Sequence, residues 1–198
     1  MKMFKKVIMI TTLSLSLFGL NSQANAATIT HFAKGGETYW SIAKKYGVSV
    51  NYLKSVNNKS SNLLFVGEKI NIPNPIISPS DKELMARLVA AEAKGEPYAG
   101  KVAVATVILN RVDSVQFPNT IKEVIYQKDS GHYAFTPVQN GTINQAADTM
   151  SLKAVEEAIA FRGQGNGSLY FYNPKTSSSD WILSREVTVV IGNHRFAK

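Results

Sequence analysis

Between Ser80 and Val112 the chain reads SDKELMARLVAAEAKGEPYAGKVAVATVILNRV, with apolar side chains at helical intervals. Ser80 followed three residues later by Glu83 is a capping-box signature, which predicts a helix from Asp81 until Gly95 stops it. Leu84, Leu88 and Glu92 recur on one face of that helix, with Met85 and Val89 one position on. The period therefore sets a glutamate where a core side chain is expected. Pro97 suits the first position of a second helix reaching Arg111, whose Val102, Val104, Ala105, Val107, Ile108 and Leu109 mark it as the core helix of its domain. Phe117-Pro118-Asn119-Thr120 opens a short helix through Tyr126, Lys128 to Gly141 reads as a polar loop, and Asn144 to Phe161 as another helix. The tail alternates like strands at Tyr170 and Tyr172 and again at Thr188 and Val190, with Trp181 opening the second segment after a KTSSSD loop. An α+β domain with a helical majority is the expected result.

Upstream the pattern shortens. Thr28 to Phe32 reads as a strand, Gly35-Gly36 as a turn, Glu37 to Tyr46 and Ser49 to Asn57 as helices, and Lys69 to Ile72 as a second strand. So small a β-α-α-β unit barely holds a core, and Trp40, Ile42, Ala43, Tyr46, Leu53, Val56 and Ile70 are expected to supply it, with Trp40 packed inside. The proline-rich stretch INIPNPIISPSD then reads as an extended linker. The expected division is residues 27–73, a linker at 74–81, and residues 82–198. Residues 1–26 have another character: basic from Met1 to Lys6, apolar from Val7 to Leu20, and closed by Ala24-Asn25-Ala26, the pattern of a cleaved export signal. An uncharged, mainly apolar run of fourteen residues is short for a bilayer span of about 20, so no stable membrane anchor is expected.

Charge narrows the partner. The whole chain carries a formal +8, and removing residues 1–26 takes three lysines with it, leaving 19 basic against 14 acidic side chains. Export and the single scatter of the basic residues argue against nucleic acid, and an anionic wall polymer suits both. The absence of cysteine removes disulfide staples and cysteine peptidase chemistry together.

The buried position of Glu92 gives it a chemical reading. Burial disfavours a carboxylate, and the last turn of a helix disfavours negative charge again, so its pKa should rise towards the range of roughly 6 to 7 that suits a proton donor near neutrality. A solvated pairing with Lys94 or Arg87 is the alternative. Glu96, before Pro97, would lie at a helix N-terminus where its charge is stabilised, and reads as structural. Tyr170, Tyr172, Asn173 and Trp181 combine aromatic faces with polar groups, which is what sugar rings need.

Two resemblances add to these readings. GGETYWSIAKKYGVSVNYLKSVNN followed by SSNLLFVGEKINIP resembles a LysM module, which implies binding of N-acetylglucosamine-containing glycans. Carried over, its groove comprises Gly36, Thr38, Tyr39, Asn62, Leu63 and Leu64, with Glu37 and Tyr39 departing from the commoner aspartate and leucine. AEAKGEPYAGKVAVATVILNRV, FPNTIKEVIYQ, AFTPVQNGTI, LYFYNPKTSSSDWI and IGNHRFAK together resemble the SleB/CwlJ-type cell-wall hydrolases associated with spore-cortex lysis. That resemblance implies a lysozyme-like, transglycosylase-like domain without cofactor or metal, exported to the wall or cortex and acting as a monomer. It makes Glu92 the catalytic acid. Further substrate contacts are expected from Tyr98 of the GEPY segment and from Phe135, Thr136 and Gln139, beside Tyr170, Tyr172, Asn173 and Trp181. Lys94 and the lengthened KDSGHY loop depart from the family pattern.

The implied reaction is cleavage between N-acetylmuramic acid and N-acetylglucosamine, with Glu92 as the single acid and base of a lytic transglycosylase. A hydrolytic muramidase or glucosaminidase would need a second carboxylate, for which Asp180 is the candidate. A zinc amidase would need converging ligands, yet His31, His132 and His194 lie in separate contexts without HxH or HExxH spacing. A non-catalytic wall-binding protein is the remaining alternative.

Overall fold

The computed structural model describes residues 29–198, and the expected export signal at 1–26 lies outside them. The N-terminal module pairs β1 (Ile29–Phe32) with β2 (Lys69–Ile72) in antiparallel register, Ile29 opposite Ile72 and Phe32 opposite Lys69. Two helices, α1 (Tyr39–Tyr46) and α2 (Val50–Val56), cover one face of the ribbon. Thr38 caps α1: its side chain accepts from the Ser41 N–H while the Ser41 hydroxyl oxygen accepts from the Thr38 N–H. That start sets the phase of the helix. Tyr39, Ile42 and Ala43 face inward, whereas Trp40, turned by about 100°, does not. Trp40 is 42% exposed, with the Lys44 ammonium 5.1 Å from its ring centroid, so the expectation of a core tryptophan is corrected. Val56 is likewise exposed. Tyr39 takes the core place, 2% exposed, with its hydroxyl donating to Glu68 Oε1 at 3.4 Å.

The larger domain is built on α3 (Pro79–Glu92), α4 (Tyr98–Asp113) and α7 (Thr149–Phe161), which share one core with the short α5 (Ile121–Ile125). Ser78, not Ser80, caps α3, accepting from the Asp81 N–H at 3.1 Å. The fixed φ of Pro79 suits the first helical position and leaves its neighbour Ser78 extended, so the cap moves two residues back. Leu84, Met85, Leu88 and Val89 form the buried stripe, and α3 ends at Glu92 rather than Gly95. Helix α7 begins later than expected, since Asp148 caps it and Thr142–Asn144 forms a separate 3₁₀ turn. The stretch expected to be a loop holds a tight hairpin of β3 (Lys128–Asp129) and β4 (His132–Tyr133), then α6 (Thr136–Gln139).

The tail supplies β5 (Tyr170–Tyr172), α8 (Asp180–Leu183), β6 (Val187–Ile191) and β7 (His194–Ala197). Their three-stranded antiparallel sheet has the order β5-β7-β6. Trp181 therefore belongs to a short helix, not to a strand. The molecule is a mixed helix and sheet protein, a small β-α-α-β module followed by a mainly helical domain with small sheets. The two meet at α7, where Glu157 accepts from the Tyr98 hydroxyl at 2.8 Å and lies 3.6 Å from Lys44 of α1.

Glu96 clasps the sheet to α4. Its Oε2 accepts from the Asn193 N–H and its Oε1 from Asn193 Nδ2, both at 3.0 Å. Burial pushes its pKa up, but the Asn193 hydrogen bonds and the His194 charge more than offset this, so it titrates below the usual value. Gly192, at φ +58, lets the β6–β7 turn approach closely: a Cβ there would run into the Glu96 carboxylate and come 2.8 Å from the Pro97 ring. Gly192→Ala is expected to lower stability by about 2 kcal/mol, from left-handed strain and weakened hydrogen bonds. Thermal unfolding checks it: the midpoint should fall by roughly 5 °C, and an unchanged midpoint would show that the clasp contributes nothing.

Candidate active site

The C-terminal residue of α3, Glu92, stands where two cavities meet. One, of about 600 Å³, is lined by Arg87, Lys94, Thr136, Asn140, Gln145 and Asp148 beside Glu92. The other, of about 280 Å³, runs towards the sheet past Arg111, Phe135, Thr136, Tyr172, Asn173 and His194. Among the described residues the Glu92 carboxyl has no hydrogen-bond or ion-pair partner; Arg87 and Lys94 line the same cavity without forming a salt bridge to it. Burial pushes its pKa up to about 7, against the opposing pull of the Arg111 charge. A carboxyl in that state holds its proton about half the time at pH 7, which suits both the donor and the acceptor of a proton near neutrality.

Arg111 is a residue that sequence reasoning missed. It lies on α4, 7% exposed, with Nε donating to the Leu169 carbonyl at 2.8 Å. Its guanidinium carbon is 4.9 Å from the Phe117 ring, 5.0 Å from Phe135 and 5.6 Å from Tyr170. Burial lowers its pKa to about 10, so it stays charged at neutral pH. The signal was present in the helix period, because Arg111 follows Val107 by four and Ile108 by three on a buried face.

The structure gathers some of the expected substrate contacts and disperses others. Thr136, at the start of α6, lines both cavities, and Phe135, Tyr172 and Asn173 line the smaller one. Gln139 is engaged elsewhere, accepting from the Tyr133 N–H at 3.4 Å, and lines neither cavity. Tyr170 and Trp181 pack edge to face at 5.1 Å, with the Arg185 guanidinium 4.1 Å from the Trp181 ring, and form a shelf outside both linings. Tyr98 lies at the α7 contact with the N-terminal module, where burial and Glu157 hold its hydroxyl at about 12. Asp180 opens α8, exposed, and lines neither cavity.

The acidic side chain that does share a cavity with Glu92 is Asp148. Its carboxylate accepts from the Ser151 N–H at 2.7 Å and hydroxyl at 2.9 Å and lies 3.4 Å from Lys101 Nζ. Burial pushes its pKa up, yet these hydrogen bonds and the lysine charge win and hold it below the usual value. It is an engaged helix cap, not a free nucleophile.

In the N-terminal module, Gly36, Thr38, Asn62 and Leu63 are exposed, Thr38 as a helix cap and Asn62 accepting from Lys54 Nζ at 2.9 Å. Leu64 packs against the module's core. Tyr39 is buried and is corrected from a groove residue to a core residue.

Comparison with known proteins agrees with both halves. A family model described as Cell Wall Hydrolase matches residues 95–197, and one described as LysM domain matches residues 34–73. A spore cortex-lytic enzyme of Bacillus cereus is 39% identical over 183 residues, spanning 91% of this chain and 68% of the relative. The solved catalytic domain of the Bacillus cereus SleB protein is 43% identical, covering 64% of this chain and 95% of that one at a TM-score of 0.56. The catalytic domain of the germination-specific lytic transglycosylase SleB from Bacillus anthracis is 43% identical, covering 64% of this chain and all of that one at a TM-score of 0.57.

Proposed function

The chain belongs to the cell wall hydrolase family, and from that premise we propose that it cleaves the bond between N-acetylmuramic acid and N-acetylglucosamine as a lytic transglycosylase with Glu92 as its single acid and base. The observation that carries this reading is an unpartnered, proton-holding carboxyl at the junction of two cavities. Protonated Glu92 donates to the leaving glycosidic oxygen. The carboxylate so formed, with the Arg111 charge nearby, accepts the proton of the muramyl C6 hydroxyl as that oxygen closes onto the anomeric carbon. Water is not consumed.

A hydrolytic mechanism would need a second free carboxylate about 5 Å from the first for retention, or about 6.5 to 9.5 Å away for inversion. Asp180 lies outside both cavities and Asp148 is tied to Ser151 and Lys101, which favours the single-acid route. The similarity to a lytic transglycosylase catalytic domain supports the same choice. Purified protein lacking residues 1–26 would be incubated with peptidoglycan and its fragments weighed. Anhydro-muramyl ends are expected; reducing ends would establish hydrolysis, and released stem peptides an amidase. Asp148→Asn, which keeps a good helix cap, is expected to retain activity within about threefold. A loss of about a hundredfold would make Asp148 the second carboxylate of a hydrolase.

The module's similarity to LysM domains supports a second, weaker hold on the same polymer through Gly36, Thr38, Asn62 and Leu63, one copy giving low affinity. Cell wall or spore cortex is the proposed location, reached by export. Among the described residues no helix is long and apolar enough to cross a membrane.

A further inference from the structure

The N-terminal module is seated on the larger domain, not hung from it. Consecutive residues of α7 belong to two cores: Ile159 to that of the larger domain, and the fully buried Ala160 to that of the module, with Ile42, Ala43, Val48 and Leu53. So small a side chain lets neighbouring elements approach closely. Polar contacts flank this apolar one. Glu157, on the same helix, lies 3.6 Å from Lys44 and accepts from the Tyr98 hydroxyl at 2.8 Å, and Asn51 Nδ2 donates to the Gly163 carbonyl at 3.5 Å. Lys82 of α3 reaches over Gly47, where a Cβ would strike its ammonium. A cavity of about 360 Å³ along the seam is lined by Val48 and Tyr52 from one side and Ile77 and Ile159 from the other. Ile77, between β2 and α3, is itself buried in the larger core, so the connecting segment is pinned as well.

The seat leaves the module's groove free. Lys44 lies in the last turn of α1, and Gly47 and Asn51 at its turn into α2, whereas Thr38 caps the opposite end of α1. Eight helical residues separate those ends, about 12 Å. Gly36, Thr38, Asn62 and Leu63 all remain exposed with the module seated. A module on a free tether raises the local concentration of polymer without choosing a bond, whereas a fixed one engages only where the geometry of both sites allows. We infer that the module is a rigid part of the catalytic unit, held on α7 through Ala160 and Glu157, and that its groove and Glu92 read one glycan strand at a constant separation, so that cleavage falls at a set distance from the sugar the module holds. This rests on the reading of the groove as glycan-binding and of Glu92 as the acid at a glycosidic bond. Ala160 and Glu157 are then positioning residues, remote from the reacting atoms.

The chain has no cysteine, so Ser55→Cys in α2 and Lys122→Cys in α5, both exposed positions, can carry a pair of spin labels on the otherwise parental protein. Their separation should be a single narrow distance, and a broad spread would overturn the seating. Early fragments from long, peptide-free glycan strands should cluster at one length with the parent. Random lengths beside a narrow label distance would overturn the shared strand. Ala160→Arg, which forces the module off α7, should broaden the label distance and the fragment lengths together. On oligosaccharides too short to reach the module it should cleave within about threefold of the parental rate. Unchanged distance and fragment lengths in a folded Ala160→Arg would overturn the role of Ala160; if that variant does not fold, the parental label distance and fragment lengths still decide. Failure of the parent to cleave either substrate, with the label distance narrow, would reject the glycosidase reading and leave the seating standing, an outcome distinct from random fragment lengths.

Discussion

Glu92→Gln is expected to lose about 10³-fold of peptidoglycan cleavage while making the folded protein more stable above neutral pH. The loss follows from removing the proton donor, a role that contributes about 10²- to 10⁴-fold in general acid catalysis. The gain follows from linkage. Burial holds the Glu92 proton up to about pH 7 in the folded chain, against an ordinary value of 4.5. Between those two values the folded state keeps a proton that the unfolded chain releases, so stability declines as pH rises through the window, and the full penalty stands above it. The interval corresponds to roughly 3 kcal/mol at most. Glutamine cannot ionise and escapes the penalty. Parent and variant should therefore unfold at similar temperatures near pH 4.5, with the variant higher at pH 8. Retained cleavage would remove Glu92 from the mechanism, and equal midpoints at both pH values would place its carboxyl in solvent.

The same residue shows why part of the site was legible from the sequence. The positions of Leu84, Leu88 and Glu92 on one face depend only on the period of a helix, which survives a two-residue error in where the helix starts. The cap of α3 did slip, from Ser80 to Ser78, because both are serines and Pro79 decides between them. In α1 the phase itself was at stake. Thr38 as the cap aligns Tyr39 with Ile42 and Ala43, and an aromatic neighbour at position 40 then faces solvent despite its size. A helix assumed to begin at Glu37 gives no such anchor.

What the sequence could not supply was the pairing of distant segments. Tyr98 is close to Glu92 along the chain, yet α4 carries it towards α7 and Glu157. Asp148 is far away in sequence and shares a cavity with it. Arg111 is intermediate: its buried phase was readable, but an arginine near a helix end is usually solvated, and the Phe117, Phe135 and Tyr170 rings that enclose it come from three other segments. The short KDSGHY segment closes into a hairpin through the Ser130 and Gly131 turn, both at positive φ, a local conformation that its polar composition did not separate from an open loop.

Arg111→Met should widen the pH range of the enzyme and slow it at the same time. Cleavage in the parent requires protonated Glu92, so the rate should be level below about pH 7 and fall about tenfold per unit above it. The Arg111 charge favours the carboxylate and so holds that limb down; methionine removes the pull, and the limb should move up by about one pH unit. The same charge acts in the opposite sense after proton transfer, when it lies near the newly formed carboxylate in a half-buried site. Without it the barrier should rise enough to cost about 10- to 100-fold in kcat. Arg111→Lys separates charge from shape: it keeps a cation but not the planar fork, so the limb should stay near its parental position while the Leu169 contact weakens. A limb unmoved in Arg111→Met would mean that solvent screens the two groups from each other, and a limb moved downward would reverse the sign on which this coupling depends.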